Sequence, residues 1–376
     1  MRAVLALLLA ASVVSGAPGG EVRKRARELG IEIGVLAPGP RNAITDVEGV
    51  LVGHESLVEG DSVRTGVTVV LPRKDIWDRL VPASAFVLNG NGQLTGMPWI
   101  EESELLGFPI VLTNSASVGQ AYDAVIEYVF RRDPERRAGL QAVVAECWDG
   151  TLNDIRGRAI RSEHVFRAIE SASSGPVAEG AVGAGVGMVS YGFKGGIGTS
   201  SRKLASEQGG YTVGALVLTN HGSREQLVVN GRPVGRGIRD LLPEIHEGSG
   251  GGGNSIIMVV ATDAPLTARA LQRLARRATL GLARTGSTAH ASSGDIAIAF
   301  STAHAFDRLG GELLEIRTID PRELDPLFDA AAEATEEAIV NSLTMAATTT
   351  GFRGNRVHGI PLDRLVEIVN ETVGVR

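Results

Sequence analysis

The sequence predicts a mixed α/β protein whose sheets are covered on both faces. Its strand-like runs are apolar nearly without interruption, as in Ile256-Ile257-Met258-Val259-Val260 and Ile296-Ala297-Ile298-Ala299-Phe300. A sheet with one face in water would alternate apolar and polar residues; a sheet buried twice does not. Between these runs lie stretches with helical spacing, long enough to cover sheet faces. Glycine is abundant (48 residues) and aromatics are scarce (4%), which suits tight turns and close backbone packing.

The elements follow in order. Residues 1–17 read as a secretory signal peptide: Arg2 supplies the positive start and Val4 to Val14 an apolar stretch too short to span a bilayer. Small residues at Val14-Ser15-Gly16-Ala17 offer cleavage sites, and cutting after Gly16 avoids placing Pro18 directly behind the cut. Strands are expected at residues 66–71, 85–88, 109–112, 142–145, 214–218, 256–260 and 296–300. Helices are expected at 118–132, 162–171, 267–283 and 325–347. Ser117 is the candidate N-cap of the first, ahead of a face made by Ala121, Val125, Tyr128 and Val129. The third carries Leu271, Leu274, Ala275 and Ala278 on one side. Opposite them stand Arg269, Arg273, Arg276 and Arg277, expected to be a solvated face or a contact between subunits. No composition shift marks an interdomain linker, so residues 18–376 are expected to form a single domain.

Composition excludes several classes of function. The chain has 376 residues, 43% hydrophobic and 21% charged, with net charge −6 and no basic stripe. Nucleic acid is therefore not an expected partner. One cysteine, Cys147, rules out an intrachain disulfide framework, so export rests on residues 1–17 alone. The seven histidines are scattered without metal-ligand spacing. Gly183-x-Gly185-x-Gly187 and Gly90-x-Gly92-x-x-x-Gly96 do not complete a nucleotide-binding loop, and no G-x-S-x-G elbow is present. A histidine-based triad can be drawn from His290, Ser293 and Asp295, but nothing in the spacing favours it.

One constellation remains. The tether Gly248-Ser249-Gly250-Gly251-Gly252-Gly253 ends in Asn254-Ser255, at the start of a buried strand. If the chain cuts itself between Asn254 and Ser255, the serine becomes a terminus carrying its own base. An α-amino group titrates near 7.7–8.0 in model peptides, close to working pH. Asn220, ending another apolar strand, is a neutral donor of the kind an oxyanion hole uses. Ser293-Gly294-Asp295 precedes a third strand; Asp295 can orient Ser293 and stabilise an ammonium. Spacing alone equally fits a flexible loop beside a serine, a cap at Asn220 and a turn at Ser293–Asp295.

Several stretches resemble one family. Ser255 through Leu266 (SIIMVVATDAPL) is similar to the start of the small chain in self-processing aminopeptidases. This is the family of L-aminopeptidase/D-Ala-esterase/amidase (DmpA-like) enzymes and β-peptidyl aminopeptidases. Also similar are Asn89-Gly90-Asn91-Gly92 with Thr95-Gly96, Asp149-Gly150 with Leu152-Asn153-Asp154, and Ser293-Gly294-Asp295 with Ala299-Phe300-Ser301-Thr302. The resemblance runs from about Ile44 to about residue 370. It implies an αββα four-layer sandwich like the N-terminal-nucleophile hydrolases, with different connectivity. It implies Ser255 as nucleophile, Ser293, Asp295 and Asn220 as its helpers, and Trp148 near the substrate pocket. The chain would be cut into 18–254 and 255–376 and assemble as a tetramer. The expected activity is that of an exported serine aminopeptidase acting on short peptides, amides or esters with a free amine, needing no cofactor and no metal. Two other readings stand beside it: an acyl transferase resembling ornithine acetyltransferases, which typically carry threonine at the nucleophile, and a non-catalytic binding protein of the same fold. The glycine-rich tether and the Cys147-Trp148 pair depart from the family pattern.

Overall fold

A computed structural model describes residues 22–246, 254–308, 310 and 313–371. The expected signal peptide and the glycine tether lie outside the described residues. Nine longer strands and four longer helices build the layers. The strands are β1 (Leu51–Glu59), β2 (Val63–Leu71), β3 (Arg79–Gly90), β4 (Ile110–Asn114), β5 (Val143–Cys147), β6 (Gly196–Lys203), β7 (Thr212–Asn220), β8 (Asn254–Thr262) and β9 (Ser293–Ser301). The helices are α1 (Val118–Arg132), α2 (Ser162–Glu170), α3 (Ala268–Arg284) and α4 (Asp325–Thr344).

One sheet has the order β1-β2-β4-β5, with only β4 and β5 parallel. The other runs β3-β9-β8-β7-β6, extended at β3 by short strands at Leu105–Leu106 and Phe306–Asp307. In it β8 and β9 are parallel, whereas β3 with β9, β7 with β8 and β6 with β7 are antiparallel.

Strand alternation explains why the apolar runs are continuous. Ile257, Val259 and Ala261 of β8 join the core between the two sheets, together with Leu216, Leu218, Ile296, Ile298 and Phe300. Ile256, Met258 and Val260 face the other way, onto α3 and α4, with Ala215, Val217, Ala297 and Ala299. Helices α1 and α2 cover the outer face of the smaller sheet. The layers are thus αββα. In the central strands β7, β8 after Asn254 and β9, each residue is buried on one side or the other, so an apolar run need not alternate.

Helix α4 is buried on nearly all sides, including Glu333 and Glu337. Both carboxylates pair with Arg202, wholly buried, at 3.0 Å and 2.8 Å, and Glu337 also pairs with Arg27 at 3.0 Å. It lies so close to β6 that a Cβ on Gly198 would sit 1.9 Å from the Ala338 carbonyl oxygen. Two expectations hold only in part: Ser117 stands at the N-cap position of α1, and Arg269 and Arg276 are exposed. Ser117 makes no capping hydrogen bond to α1; Asn114 instead accepts from Ala116 N and opens a 3-10 turn ahead of the helix. The arginines of α3 are not simply solvated: Arg276 lies over the Phe86 ring, and Arg273 and Arg277 over Phe328. Their stems and flat guanidinium faces cover aromatic surface while the charge stays near water.

Candidate active site

Three strands of the large sheet end side by side. Antiparallel pairing sets Ser255, at the start of β8, opposite Asn220, the last residue of β7. Side chains of such a pair stand on one face with Cβ atoms about 4.5–5.5 Å apart. Parallel pairing with β9 places Asn254 beside Ser293 and Ser255 beside Gly294. The sheet therefore brings Ser255, Asn220 and Ser293-Gly294-Asp295 together, the last three being the first residues of β9 and not the turn their spacing also fitted. All four named side chains are buried.

Around them the polar geometry is specific. The Ser255 hydroxyl is buried and makes no hydrogen bond. The Cys147 thiol lies against it and points to the Leu218 carbonyl at 3.5 Å. Ser293 Oγ donates to Asp295 Oδ1 at 2.7 Å, and Oδ2 of Asp295 is buried with no hydrogen-bond partner. Burial raises the Asp295 carboxyl, while the Ser293 bond, nearby Asn89 and His290 pull it back down. Asn220 Oδ1 accepts from Val189 N at 2.9 Å, which fixes which end of the amide carries the donors. The His290 backbone carbonyl accepts from Ser293 N at 2.8 Å, but its ring Nε2 meets the Gln226 side chain at 3.0 Å. With the Ser293 hydroxyl given to Asp295, the drawn His290–Ser293–Asp295 relay does not form.

The end of β3 at Asn89-Gly90 and the following Asn91-Gly92 hold the start of β9 from the far side. Asn89 Nδ2 donates to His290 O at 2.6 Å, Asn91 Nδ2 to Ser292 O at 2.7 Å, and Asn91 N to Ser293 O at 3.3 Å. A Cβ on Gly294 would stand 2.7 Å from Gly92 Cα, so the two backbones touch where only glycines fit.

The structure adds one residue that sequence reasoning missed. Glu146, near the end of β5, is buried and accepts from Gln93 N at 3.1 Å and from the Ser115 hydroxyl. Burial raises its carboxyl above the usual range, with both hydrogen bonds opposing. A Cβ on Gly92 would lie 3.5 Å from Glu146 Oε1 and 3.1 Å from Gly294 Cα, which places the carboxylate at the same junction as Ser255's strand partner. The Cys147 thiol bridges the groups: burial pushes it well up, Glu146 adds to the rise, Ser255 opposes it and Asp295 adds further. The sequence signal was present but weak, a lone carboxylate closing the run Ala142-Val143-Val144-Ala145. Trp148 follows β5 directly, half-buried, with its ring against Gly150. No hydrogen bond ties it to Ser255, Ser293 or Asp295. Among the described residues no cluster of three His, Cys, Asp or Glu side chains could hold a metal ion.

The ensemble offers a serine hydroxyl without a partner, an amide donor across the strand and two buried carboxylates, which is the equipment of acyl transfer onto serine. Comparison with known proteins agrees. Residues 42–357 match the model of Peptidase family S58. A β-peptidyl aminopeptidase, BapA, of Sphingosinicella xenopeptidilytica is 42% identical over 97% of this chain and 96% of its own. Among solved structures, a β-aminopeptidase from a Burkholderia species superposes with a TM-score of 0.87 at 45% identity, covering 94% of this chain and 100% of that one. The L-aminopeptidase D-Ala-esterase/amidase of Ochrobactrum anthropi, described as a prototype of serine aminopeptidases and a variant of the Ntn hydrolase fold, gives 0.84 at 39% identity. It covers 92% of this chain and 98% of its own.

Proposed function

This chain belongs to peptidase family S58 and is a serine-type aminopeptidase, and we propose that it becomes active by cutting itself between Asn254 and Ser255. The observation that carries this is the Ser255 hydroxyl, buried and unpartnered, in register with Asn220 on one side and Gly294 on the other.

In the precursor Ser255 Oγ adds to the Asn254 carbonyl carbon. The C–N bond breaks, the Ser255 nitrogen takes the hydroxyl proton, and Asn254 is left as an ester on Oγ. Water hydrolyses the ester, which frees the Asn254 carboxylate and the Ser255 α-amine. In turnover that amine accepts the Oγ proton as Oγ attacks the substrate carbonyl. Negative charge on the former carbonyl oxygen develops beside the Asn220 amide. The departing amine or alcohol takes up the proton, and water then releases the acyl group. Ser293, held by Asp295, steadies the serine terminus.

Glu146 and Asp295 supply the negative charge that would receive a substrate's own ammonium. A carboxylate offers about four acceptor positions, and Glu146 uses two on Ser115 and Gln93. Short peptides, amides or esters bearing a free amine fit this arrangement. Residues 1–17 support export to the periplasm or the extracellular space, and the family resemblance of the sequence implies a homo-oligomer, a tetramer in our reading.

Intact mass under denaturing conditions tests the central step. Two species are expected, the smaller starting at Ser255, and size exclusion under native conditions should show them eluting together. Ser255→Ala should remain one chain and lose peptidase activity entirely. Activity surviving that change would refute the assigned nucleophile.

A further inference from the structure

Lys194 is a buried lysine that no step above uses. It closes a hairpin whose strands, Val189–Ser190 and Phe193–Lys194, pair antiparallel. Its ammonium donates to three backbone carbonyls, Gly185 at 2.8 Å, Met188 at 2.9 Å and Gly195 at 2.8 Å. All three acceptors belong to the one segment that leads into and out of the hairpin. The Gly183-x-Gly185-x-Gly187 run, set aside as a nucleotide loop, is the part that wraps this cation. Burial lowers Lys194 to about 7, and the charge of Asp149, beyond the end of β5, opposes that fall; a Cβ on Gly187 would stand 2.9 Å from Asp149 Cβ.

The hairpin in turn grips the end of β7. Val189 N donates to Asn220 Oδ1 at 2.9 Å. The next residue along, His221, gives its carbonyl to Tyr191 N at 2.7 Å and to Ser190 Oγ at 3.2 Å. The tip is left-handed at both Tyr191 (φ 52°) and Gly192 (φ 67°), the form a two-residue hairpin turn requires, and for tyrosine it persists only if the surroundings enforce it.

We propose that Lys194 is a positioning residue for the oxyanion: its ammonium fixes the 185–195 segment whose Val189 N–H holds the Asn220 amide beside Ser255. This rests on Asn220 being an oxyanion donor. A neutral side chain at 194 would leave three carbonyls without their shared donor, the segment would relax, and the amide would lose its aim. Displacing an oxyanion donor costs rate and not substrate binding, because its bond forms in the transition state.

A double-mutant cycle separates this from a merely structural role. kcat and KM on an amino-acid p-nitroanilide are measured for wild type, Lys194→Met, Asn220→Ala and the double variant, with kcat referred to the cleaved fraction from intact mass. Lys194→Met should lower kcat roughly ten- to a hundredfold with KM within about twofold, the range of a partly lost oxyanion donor. In the Asn220→Ala background the same change should cost about twofold or less, since the two act through one amide. An equal loss in both backgrounds, or a changed KM with kcat intact, would overturn the proposal. Unchanged kcat in Asn220→Ala alone would remove the oxyanion assignment as well, a distinct outcome. If Lys194→Met does not accumulate folded, Ser190→Ala decides. It removes only the hydroxyl grip on His221 and should cost roughly two- to fivefold in kcat, vanishing without Asn220; no loss, or an additive one, counts against the proposal.

Discussion

Glu146 shows what a single buried carboxylate adds. Its nearest polar partners are a backbone N–H and a hydroxyl, which lower its pKa without supplying a positive charge, so burial dominates and its carboxyl is raised. A substrate ammonium would supply the missing charge. Glu146→Gln keeps the shape and the Gln93 contact but removes that attraction. KM for amine-bearing substrates is expected to rise roughly ten- to a hundredfold, the worth of a charged hydrogen bond, with kcat nearly unchanged. Steady-state kinetics on a substrate and its N-acetylated counterpart checks this, since the wild-type preference for the free amine should shrink in the variant. At this scale Ser255 was legible because its tether, its asparagine and its strand stand next to each other in sequence. Glu146 was not, because its meaning depends on Gly92 and Gly294, which are distant in the chain.

The elements were read well where burial is apolar and poorly where it is polar. Helix α1 has the bounds its periodicity predicts, α2 ends one residue sooner than expected, and α3 is displaced by one residue at both ends. Strand β6 was missed, since Thr199-Ser200-Ser201-Arg202 looks like a loop. All four residues are buried, and their polar atoms are satisfied across layers: Thr199 Oγ1 donates to Ala215 O at 2.7 Å and Ser200 Oγ to Ala334 O at 2.7 Å. β1 was missed for a similar reason, its middle being His54-Glu55-Ser56. The contact between β6 and α4 also sets a limit on substitution. Gly198→Ala places a methyl into the Ala338 carbonyl, so the helix must move off the sheet. Loss of roughly 1–3 kcal/mol is expected, the usual cost of overpacking, measured by urea unfolding. A variant as stable as wild type would show that α4 is free to shift.

At the scale of the whole molecule, the proposed cut, after the first residue of β8, need not separate the pieces. β8 lies between β7 of the larger fragment and β9 of the smaller one, and both of its faces are buried. Stability should depend on pH through groups held far from their ordinary values. Burial lowers His221 from 6.5 to about 3, with both ring nitrogens lacking hydrogen bonds. The folded pKa is depressed, so this contribution is fully present above pH 6.5 and is lost as pH falls towards 3. Asp149, raised by burial to about 7, acts in the opposite sense: its contribution is present below its ordinary 3.8 and lost as pH rises through about 7. Comparison with a variant isolates the histidine. Relative to wild type, His221→Phe should gain about 1.4 kcal/mol for each pH unit of acidification below about 6. Urea unfolding at pH 7.5, 5.5 and 4.5 measures it; a constant difference across the three would mean His221 titrates normally.

The sequence by itself determined the layered α/β class and most strands and helices, and it singled out Ser255, on which the proposed chemistry turns. These depend on periodicity and on neighbours along the chain, which a linear reading contains. Only the tertiary structure decided which strand ends lie side by side, that Asn220 faces Ser255, that Glu146 joins them, and that a glycine run wraps a buried lysine. Those relations come from strand register and from contacts between residues tens to hundreds of positions apart. Register follows from the packing of both sheet faces at once, and no single segment carries that information.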